Sequence, residues 1–394
     1  MATPTPAQLD GLSAPNREAI LRLASLPATP RLPAAMPTKG QAAVAVILFQ
    51  TRSTSCAVPP TDDSSDMEPE LHVICSTRAM HLSSHPGQAS LPGGKVDRSD
   101  VDPQSGQLDV AMTAIRETCE EVGLDPRAQE VGDCVHLYTA RPFLSKTALL
   151  VHPVIYFLPP RSAYKTLSSL SPSPDEVDLV WSYPLRALLS SKMPTTIPAA
   201  GSSASERPLF ARLSDPSSVD RHRPPQETFR TYSDVPWLLA GHYRLHRFRS
   251  PHQLVKGLTA DVLIHCASLA YDCPPRYAAF SPDQASWDDC VAYLVKKRLA
   301  AIAAAASATV SQQRPTPRWG DGESGDAYGS MEKFATVQGR DDDYLGEAAA
   351  EAEAAMDKAR KRDEELVRRS KEAPWHIANG NGHYPLTEEQ QIQA

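Results

Sequence analysis

The chain of 394 residues carries a formal net charge of −7, 36 prolines and 41% hydrophobic residues. This length allows two or three domains, but so many prolines indicate that much of the chain lies outside a packed core. The mildly acidic balance gives no reason to expect nucleic-acid binding, and no run of 18 apolar residues predicts a membrane span. Seven scattered cysteines without a CxxC pair or a secretory leader favour an intracellular protein, with cytoplasm, peroxisome and mitochondrion left open.

The first part of the chain predicts a leader followed by an α/β domain. Residues 1–40 are rich in Pro, Ala and Thr, which is typical of a flexible leader, with one short helix around Ala14–Leu23. From residue 41 to about residue 274, strand and helix signals alternate. The apolar runs AAVAVILF (42–49) and LHVICSTR (71–78) predict two buried strands. This alternation favours one α/β sandwich domain.

Three further elements follow in the same domain. TALLVHPVIYFL (147–158) predicts a third strand, which Pro153 interrupts. EVDLVWSYPL (176–185) alternates like a strand and ends at Pro184. GLTADVLIHCASLAY (257–271) predicts a helix.

Four segments have a different composition. Residues 53–70 and 193–230 are dense in Ser, Pro and Asp, and they predict surface insertions in the domain. Residues 275–312 predict a helix packed on the domain. Residues 313–394 predict a low-complexity helical or disordered tail, since Glu and Lys/Arg alternate there without an apolar seam. Such a tail is a candidate for binding a protein partner.

The segment RETCEEVGL (116–124) predicts an acidic helix. Glu117, Glu120 and Glu121 share one helical face because positions i, i+3 and i+4 lie together. Gly123 predicts the end of the helix. Taken alone, such a stripe is most often a solvated face.

A second motif, LPGGKVD (91–97), precedes this helix. Two glycines after a proline give a tight turn that a ligand or metal ion can approach closely. A PGG turn followed by a helix with REx2EE and then VGL resembles the Nudix box, G-x5-E-x7-R-E-U-x-E-E-x-G-U with U apolar, the signature of Nudix hydrolases. The matching residues are Gly94, Arg116, Glu117, Glu120, Glu121, Gly123 and Leu124.

The spacing departs from the Nudix box at one acidic position. About eight additional residues separate Gly94 from Arg116. In the family, the first glutamate of the box steadies the arginine rather than binding metal. Asp109 lies seven residues before Arg116 and can take the place of this first glutamate, and Asp100 is the alternative.

The stretch STRAMHLSSHPGQASLPGG (76–94) resembles the motif that precedes the Nudix box in coenzyme A diphosphatases, the peroxisomal and mitochondrial type of coenzyme A pyrophosphatase. Ser83 replaces an arginine of that motif, and Leu91 replaces a phenylalanine. His81 and His85 lie in the same loop, but lone histidines are more often structural or solvated than ligands. The residues that keep the register are Ser76, Arg78, Ala79, Gly87, Pro92, Gly93 and Gly94.

The resemblance implies a Nudix α/β/α sandwich with a disordered N-terminal leader, loop insertions and a helical or disordered C-terminal tail. It also implies dependence on Mg²⁺ or Mn²⁺, because diphosphate hydrolysis at neutral pH needs cations and an activated water. The expected metal ligands are Glu117, Glu121, Glu120 and the Gly94 carbonyl. The candidate catalytic residues are Glu120, Arg116 and Glu176, and the candidate substrate-binding residues are Arg78, Gly93 and Gly94.

The implied activity is hydrolysis of the diphosphate bond of coenzyme A and its derivatives. The products are 3′,5′-ADP and 4′-phosphopantetheine, or its acylated form. Two alternatives remain: a Nudix hydrolase for another nucleoside diphosphate derivative, and a Nudix-fold binding module without turnover. The substrate in the first two cases is a small molecule.

Overall fold

The protein is described here from a computed structural model. The expected insertions at 53–70 and 193–230 fall almost wholly outside the described residues, and the tail 313–394 falls entirely outside them. The described residues are 2–33, 35–51, 69–102, 107–192, 229–237, 241–250 and 252–312, with side chains as far as residue 305.

Strands and helices alternate along the described chain. The strands are β1 (Gln41–Gln50), β2 (Leu71–Arg78), β3 (Ala89–Ser90), β4 (Gly93–Lys95), β5 (Val135–Thr139), β6 (Phe143–Leu144), β7 (Leu150–Phe157), β8 (Val177–Pro184), β9 (Arg230–Pro236), β10 (His242–Phe248) and β11 (Val255–Lys256). The helices are α1 (Pro6–Leu9), α2 (Ala14–Ala24), α3 (Val110–Val122), α4 (Pro160–Ser169), α5 (Gly257–Tyr271) and α6 (Trp287–Gln312), with short 3₁₀ helices at Arg98–Asp100 and Leu185–Leu189.

The main sheet is mixed. Its strand order is β3-β2-β1-β7-β5, with β4 added to β1, β6 to β7 and β8 to β2. Strands β1 and β7 run parallel, and the other pairs are antiparallel. A separate antiparallel sheet has the order β11-β10-β9.

The central strand β1 shows why the fold has three layers. Successive side chains of a strand point to opposite faces. Ala45 and Ile47 pack with α3 and α4 on one face of the sheet, whereas Val46 and Leu48 pack with α2, α5 and α6 on the other. Because both faces are covered, the strand is apolar throughout. The predicted α/β/α sandwich is confirmed.

Strand β7 runs through Pro153 without a break, although the sequence predicted an interruption there. The Pro153 carbonyl accepts the Ala140 N–H over 2.8 Å. The proline nitrogen faces the same side of the strand, where β5 has ended and β6 has not begun. The missing N–H therefore removes only the bond that a residue at this position could return to the Ala140 carbonyl.

The N-terminal leader is packed against the domain, which corrects the expectation of a flexible segment. The expected short helix is present as α2, and its Ile20 and Leu23 are fully buried. Arg22 Nη1 donates to the Ala270 carbonyl over 2.8 Å, and Asn16 Nδ2 donates to the Pro69 carbonyl over 2.9 Å. The proline and alanine content suggested flexibility, but the apolar side of α2 packs into the core on one face of the main sheet.

Helix α6 packs through its first half. Trp287, Val291 and Leu294 are buried in the core, and Arg141 Nη1 forms a 2.6 Å ion pair with Asp288. Among the described helices, none combines the length and apolar character that crossing a bilayer requires.

Candidate active site

Helix α3 has clear signals at both ends. Asp109 caps the N-terminus, since its carboxylate accepts the Ala111 N–H over 2.9 Å. Gly123 ends the helix in the left-handed conformation, with φ of 72°. Between them, Ala114 and Ile115 are buried against the sheet. The acidic side of α3 consequently faces the turn that contains β4.

Arg116 is held by Asp100, not by Asp109. The guanidinium donates to Asp100 through Nε at 3.0 Å and Nη2 at 2.9 Å. Asp100 is 4% exposed and also accepts from Thr113 Oγ1 at 2.9 Å. Burial alone would raise the pKa of Asp100, but the hydrogen bonds, first that from Arg116, hold it below the usual range. Of the two acids that the sequence left open, Asp100 makes the contact and Asp109 caps the helix.

Glu121 connects α3 to the PGG turn. Its Oε2 accepts the Gly93 N–H over 2.9 Å, and the residue is only 5% exposed. Burial, joined by the negative charges of Glu117 and Glu176, raises the pKa of Glu121 to about 7. A carboxyl in this position is stabilised in its charged form by any cation that enters the site.

Glu117 lies against Gly94. A Cβ at Gly94 would collide with the Glu117 carboxylate, so the closeness of the two depends on glycine. Arg116 Nη1 donates to Glu117 Oε1 over 2.9 Å. Burial is the main cause that raises the pKa of Glu117, and the charges of Glu120 and Glu176 act in the same direction.

Glu120 lies apart from the two other glutamates. Its side chain is 57% exposed and forms a 3.0 Å ion pair with Arg116 Nη1. The acidic stripe thus has two parts: Glu117 and Glu121 lie inward against the glycine turn, and Glu120 lies at the rim.

Arg78 and Glu176 lie at the border of the site. The positive charge of Arg78 opposes in part the rise in the pKa of Glu121 that burial causes. Arg78 Nε donates to the Ser84 carbonyl over 3.3 Å. The fold also brings the exposed Glu176 close enough to act on Glu117 and Glu121, although 55 residues or more separate them in sequence.

The donor types fit a hard divalent cation. Carboxylate and carbonyl oxygens are the ligands that Mg²⁺ prefers, and it retains several waters, so one or two carboxylates suffice. A bound cation would also offset the repulsion among Glu117, Glu121 and Glu176. In the described part of the chain, however, no three Asp, Glu, His or Cys side chains converge tightly enough to enclose an ion. Arg116 occupies the space between Glu117 and Glu120 instead.

A mixed α/β sandwich with an acidic helix beside a glycine turn defines a Nudix-type fold. Residues 57–196 match the family model of the NUDIX domain. The chain therefore contains a NUDIX domain, as the motif predicted.

Several proteins with Nudix names are similar to the chain. Nudix hydrolase 15, mitochondrial, of Arabidopsis thaliana is 32% identical over 213 residues, which cover 54% of this chain and 58% of that protein. Nudix hydrolase 22, chloroplastic, of Arabidopsis thaliana is 29% identical and covers 54% and 55%. Uncharacterized Nudix hydrolase NudL of Salmonella paratyphi B is 33% identical and covers 31% and 54%. The chain thus spans little more than half the length of these relatives.

Two solved structures give weaker matches. A mutT/nudix family protein from Listeria innocua is 15% identical, with a TM-score of 0.26, over 39% of this chain and 83% of that one. The NUDIX domain of Shewanella oneidensis NrtR, complexed with ADP ribose, is 18% identical, with a TM-score of 0.21, over 40% and 81%.

Proposed function

We propose that the protein is a hydrolase of phosphorus anhydride bonds that depends on Mg²⁺ or Mn²⁺. One observation carries the proposal: the inward glutamates of α3, Glu117 and Glu121, lie directly against the glycines of the PGG turn. A buried glutamate and a partly buried one beside a glycine turn are suited to a cation and a phosphate together. The names of the similar Nudix hydrolases agree with this class of reaction.

In this proposal Glu117 and Glu121 hold the ion, with Glu120 and the Gly94 carbonyl as further ligands. When bound, the ion supplies neutralisation of phosphate charge and a more acidic water. Arg116 fixes Glu117 through the 2.9 Å contact, and Asp100 fixes Arg116 in turn. The ion pair with Arg116 holds Glu120 at the rim until a ligand competes for it.

Two carboxylates are candidates for the base that accepts the proton of the attacking water. Glu176 is exposed, and its charge acts on both inward glutamates. Glu120 is also exposed, but it is engaged by Arg116. The free carboxylate is better placed to accept a proton, so we assign this role to Glu176.

The proposed substrate is coenzyme A or an acyl-coenzyme A, cleaved to 3′,5′-ADP and 4′-phosphopantetheine or its acylated form. The residues that support it are those of the segment 76–94, which resembles the coenzyme A diphosphatase motif and leads into the PGG turn. Arg78 is the cation in this segment that lies within electrostatic range of Glu121. A guanidinium matches the geometry of a phosphate. Gly93 and Gly94 stay candidate substrate-binding residues on the resemblance alone, since Ala43 and Glu117 take up the space that a Cβ would need at each of them.

The test is incubation of the purified chain with Mg²⁺ and a panel of coenzyme A, dephospho-coenzyme A, nucleotide sugars and dinucleotides, followed by identification of products by mass spectrometry. We expect 3′,5′-ADP and 4′-phosphopantetheine from coenzyme A. Hydrolysis of another diphosphate alone would transfer the proposal to the broader Nudix class. No hydrolysis of any compound, with or without Mn²⁺, would favour a binding module.

Arg78→Ala refines the substrate assignment. If Arg78 contacts the 3′-phosphate, its loss should raise KM for coenzyme A by roughly 10- to 150-fold, the factor for a charge-assisted contact, and leave dephospho-coenzyme A little changed. Equal losses on both substrates would place Arg78 on the diphosphate. Ser83→Arg restores the cation of the motif and should lower KM for coenzyme A.

We also propose an intracellular location. It is supported by the six cysteines of the described chain, all of which are free thiols. The tail 313–394 stays a candidate for binding a protein partner on grounds of sequence alone.

A further inference from the structure

The loop 171–176, which joins α4 to β8 and carries Glu176, is docked on the end of α3. The Ser171 N–H donates to the Val122 carbonyl over 3.0 Å, and the Ser173 N–H donates to the Glu121 carbonyl over 2.9 Å. A Cβ at Gly123 would lie 2.6 Å from the Ser171 carbonyl oxygen. The helix end and this loop therefore form one unit, and the glycine permits their contact.

The far end of the same loop is fixed by the segment that follows β2. The Ala79 N–H donates to the Glu176 carbonyl over 2.9 Å. His81 Nε2 lies 3.0 Å from the carbonyl oxygen of Asp175. A carbonyl oxygen only accepts, so the His81 ring must carry its proton on Nε2 in this contact. Just before this segment, the pairing of β2 with β8 shifts its register between Thr77 and Arg78.

We propose that His81 is a positioning residue that fixes the backbone at Asp175 and thereby sets where the Glu176 carboxylate lies relative to Glu117 and Glu121. This inference rests on the proposed function, in which Glu176 is the base. The loop is held at its start by α3 and at its end by Ala79 and His81. The His81 side chain binds the carbonyl of Asp175, the residue directly before Glu176. The hydrogen bond of the exposed His81 side chain reaches the Asp175 carbonyl and not a carboxylate, so His81 acts through the backbone.

The variants His81→Ala and His81→Gln test this role. Alanine removes the donor, and we expect kcat to fall roughly 2- to 12-fold, the factor that corresponds to one hydrogen bond, with KM changed less than twofold. Glutamine carries an Nε2 donor at similar reach and should restore most of kcat, with the pH profile of wild type. The control is His242→Gln, because His242 is an exposed histidine of β10, in the other sheet, and pairs with Asp283 of the segment that precedes α6. It should leave kcat unchanged.

Hydrogen exchange provides a readout that does not need turnover. In His81→Ala the amides of Glu176 and Val177, which donate to the Ser173 carbonyl, should exchange faster than in wild type and in His81→Gln. A wild-type kcat in His81→Ala, or slowed turnover without faster exchange, would overturn the positioning role. Failure of glutamine to restore kcat would overturn it too, since it would place the imidazole itself in the reaction. Absence of turnover in wild type would refute the proposed function instead, and the exchange data would still decide whether His81 anchors the loop.

Discussion

Glu121 Oε2 accepts a hydrogen bond from the Gly93 N–H over 2.9 Å, which joins the acidic helix to the glycine turn. The contact places a nearly buried carboxylate beside Glu117, and its pKa is raised to about 7 chiefly by burial. In the protein without an ion, the hydrogen bond and the charge therefore have opposite effects on stability.

Glu121→Gln separates these two effects. The amide oxygen still accepts the Gly93 N–H, but the charge that burial opposes is gone. We expect unfolding in EDTA to require at least as much denaturant as wild type, whereas kcat/KM with Mg²⁺ falls roughly 100-fold or more. Glu130→Gln makes the same change at an exposed position and serves as control. Near-normal turnover of Glu121→Gln at saturating Mg²⁺ would remove Glu121 from the metal ligands.

The Asp100–Arg116 contact gives the second prediction. Asp100→Asn removes the negative charge that accepts two hydrogen bonds from the Arg116 guanidinium. Asp100 is buried, so this charge is little screened by solvent. We expect the free energy of unfolding to fall by about 1.5–3 kcal/mol and kcat to fall with it, measured by urea denaturation and turnover.

Asp109→Asn is the matched control for this change. Asparagine caps a helix about as well as aspartate, so stability should stay within about 0.5 kcal/mol of wild type. Equal losses in the two variants would contradict the assignment of Asp100 as the partner of Arg116.

Local sequence patterns predicted the elements well. The segments predicted for α5 and β8 agree closely with the observed bounds, because apolar periodicity, Gly257 at the start of α5 and Pro184 at the end of β8 are local signals. The Nudix motif predicted that the glutamates of RETCEEVGL lie on a helix, which the structure shows as α3. The same signals predicted β1 as a buried strand, and the structure covers it on both faces.

Contacts between distant segments were beyond those patterns. Asp100 belongs to a 3₁₀ helix that lies before α3, among the residues added between Gly94 and Arg116. Counting helical turns back from Arg116 therefore does not locate it. A signal was present, since Asp97 and Asp100 form a capping box at that helix. The burial of Ile20 likewise depends on a surface that residues far along the chain provide. The link from His81 to Asp175 spans 94 residues and no local pattern reports it.

The packed leader leads to a third prediction. Leu23 is fully buried and Leu21 is 38% exposed, although both lie on α2. Leu23→Ala should lower the free energy of unfolding by about 2–5 kcal/mol, whereas Leu21→Ala should change it by less than about 0.5 kcal/mol. Both are measured by urea denaturation of the full chain. Similar small effects at the two positions would mean that the leader does not belong to the cooperative unit.

A partly buried carboxyl on α5 makes stability depend on pH. Asp261 Oδ2 accepts a hydrogen bond from the Tyr243 hydroxyl over 2.5 Å. Burial raises the pKa of Asp261 to about 8, and the Tyr243 hydrogen bond opposes this rise only in part. In the unfolded chain an aspartate titrates near about pH 4. Between about pH 4 and about pH 8 the folded protein thus keeps a proton that the unfolded chain has lost, so this group lowers stability as the pH rises.

Asp261→Asn should remove that dependence, because asparagine keeps an acceptor for Tyr243 and does not titrate. Its free energy of unfolding relative to wild type should increase as the pH rises from 5 to 8, by at most about 1.4 kcal/mol for each pH unit. Urea denaturation at pH 5, 6.5 and 8 measures the difference. Asp125→Asn is the control, since its pKa is lowered by the Arg127 N–H and this exposed group stays charged throughout that range. Parallel curves for wild type and Asp261→Asn would show that Asp261 does not change its charge in the folded protein between these pH values.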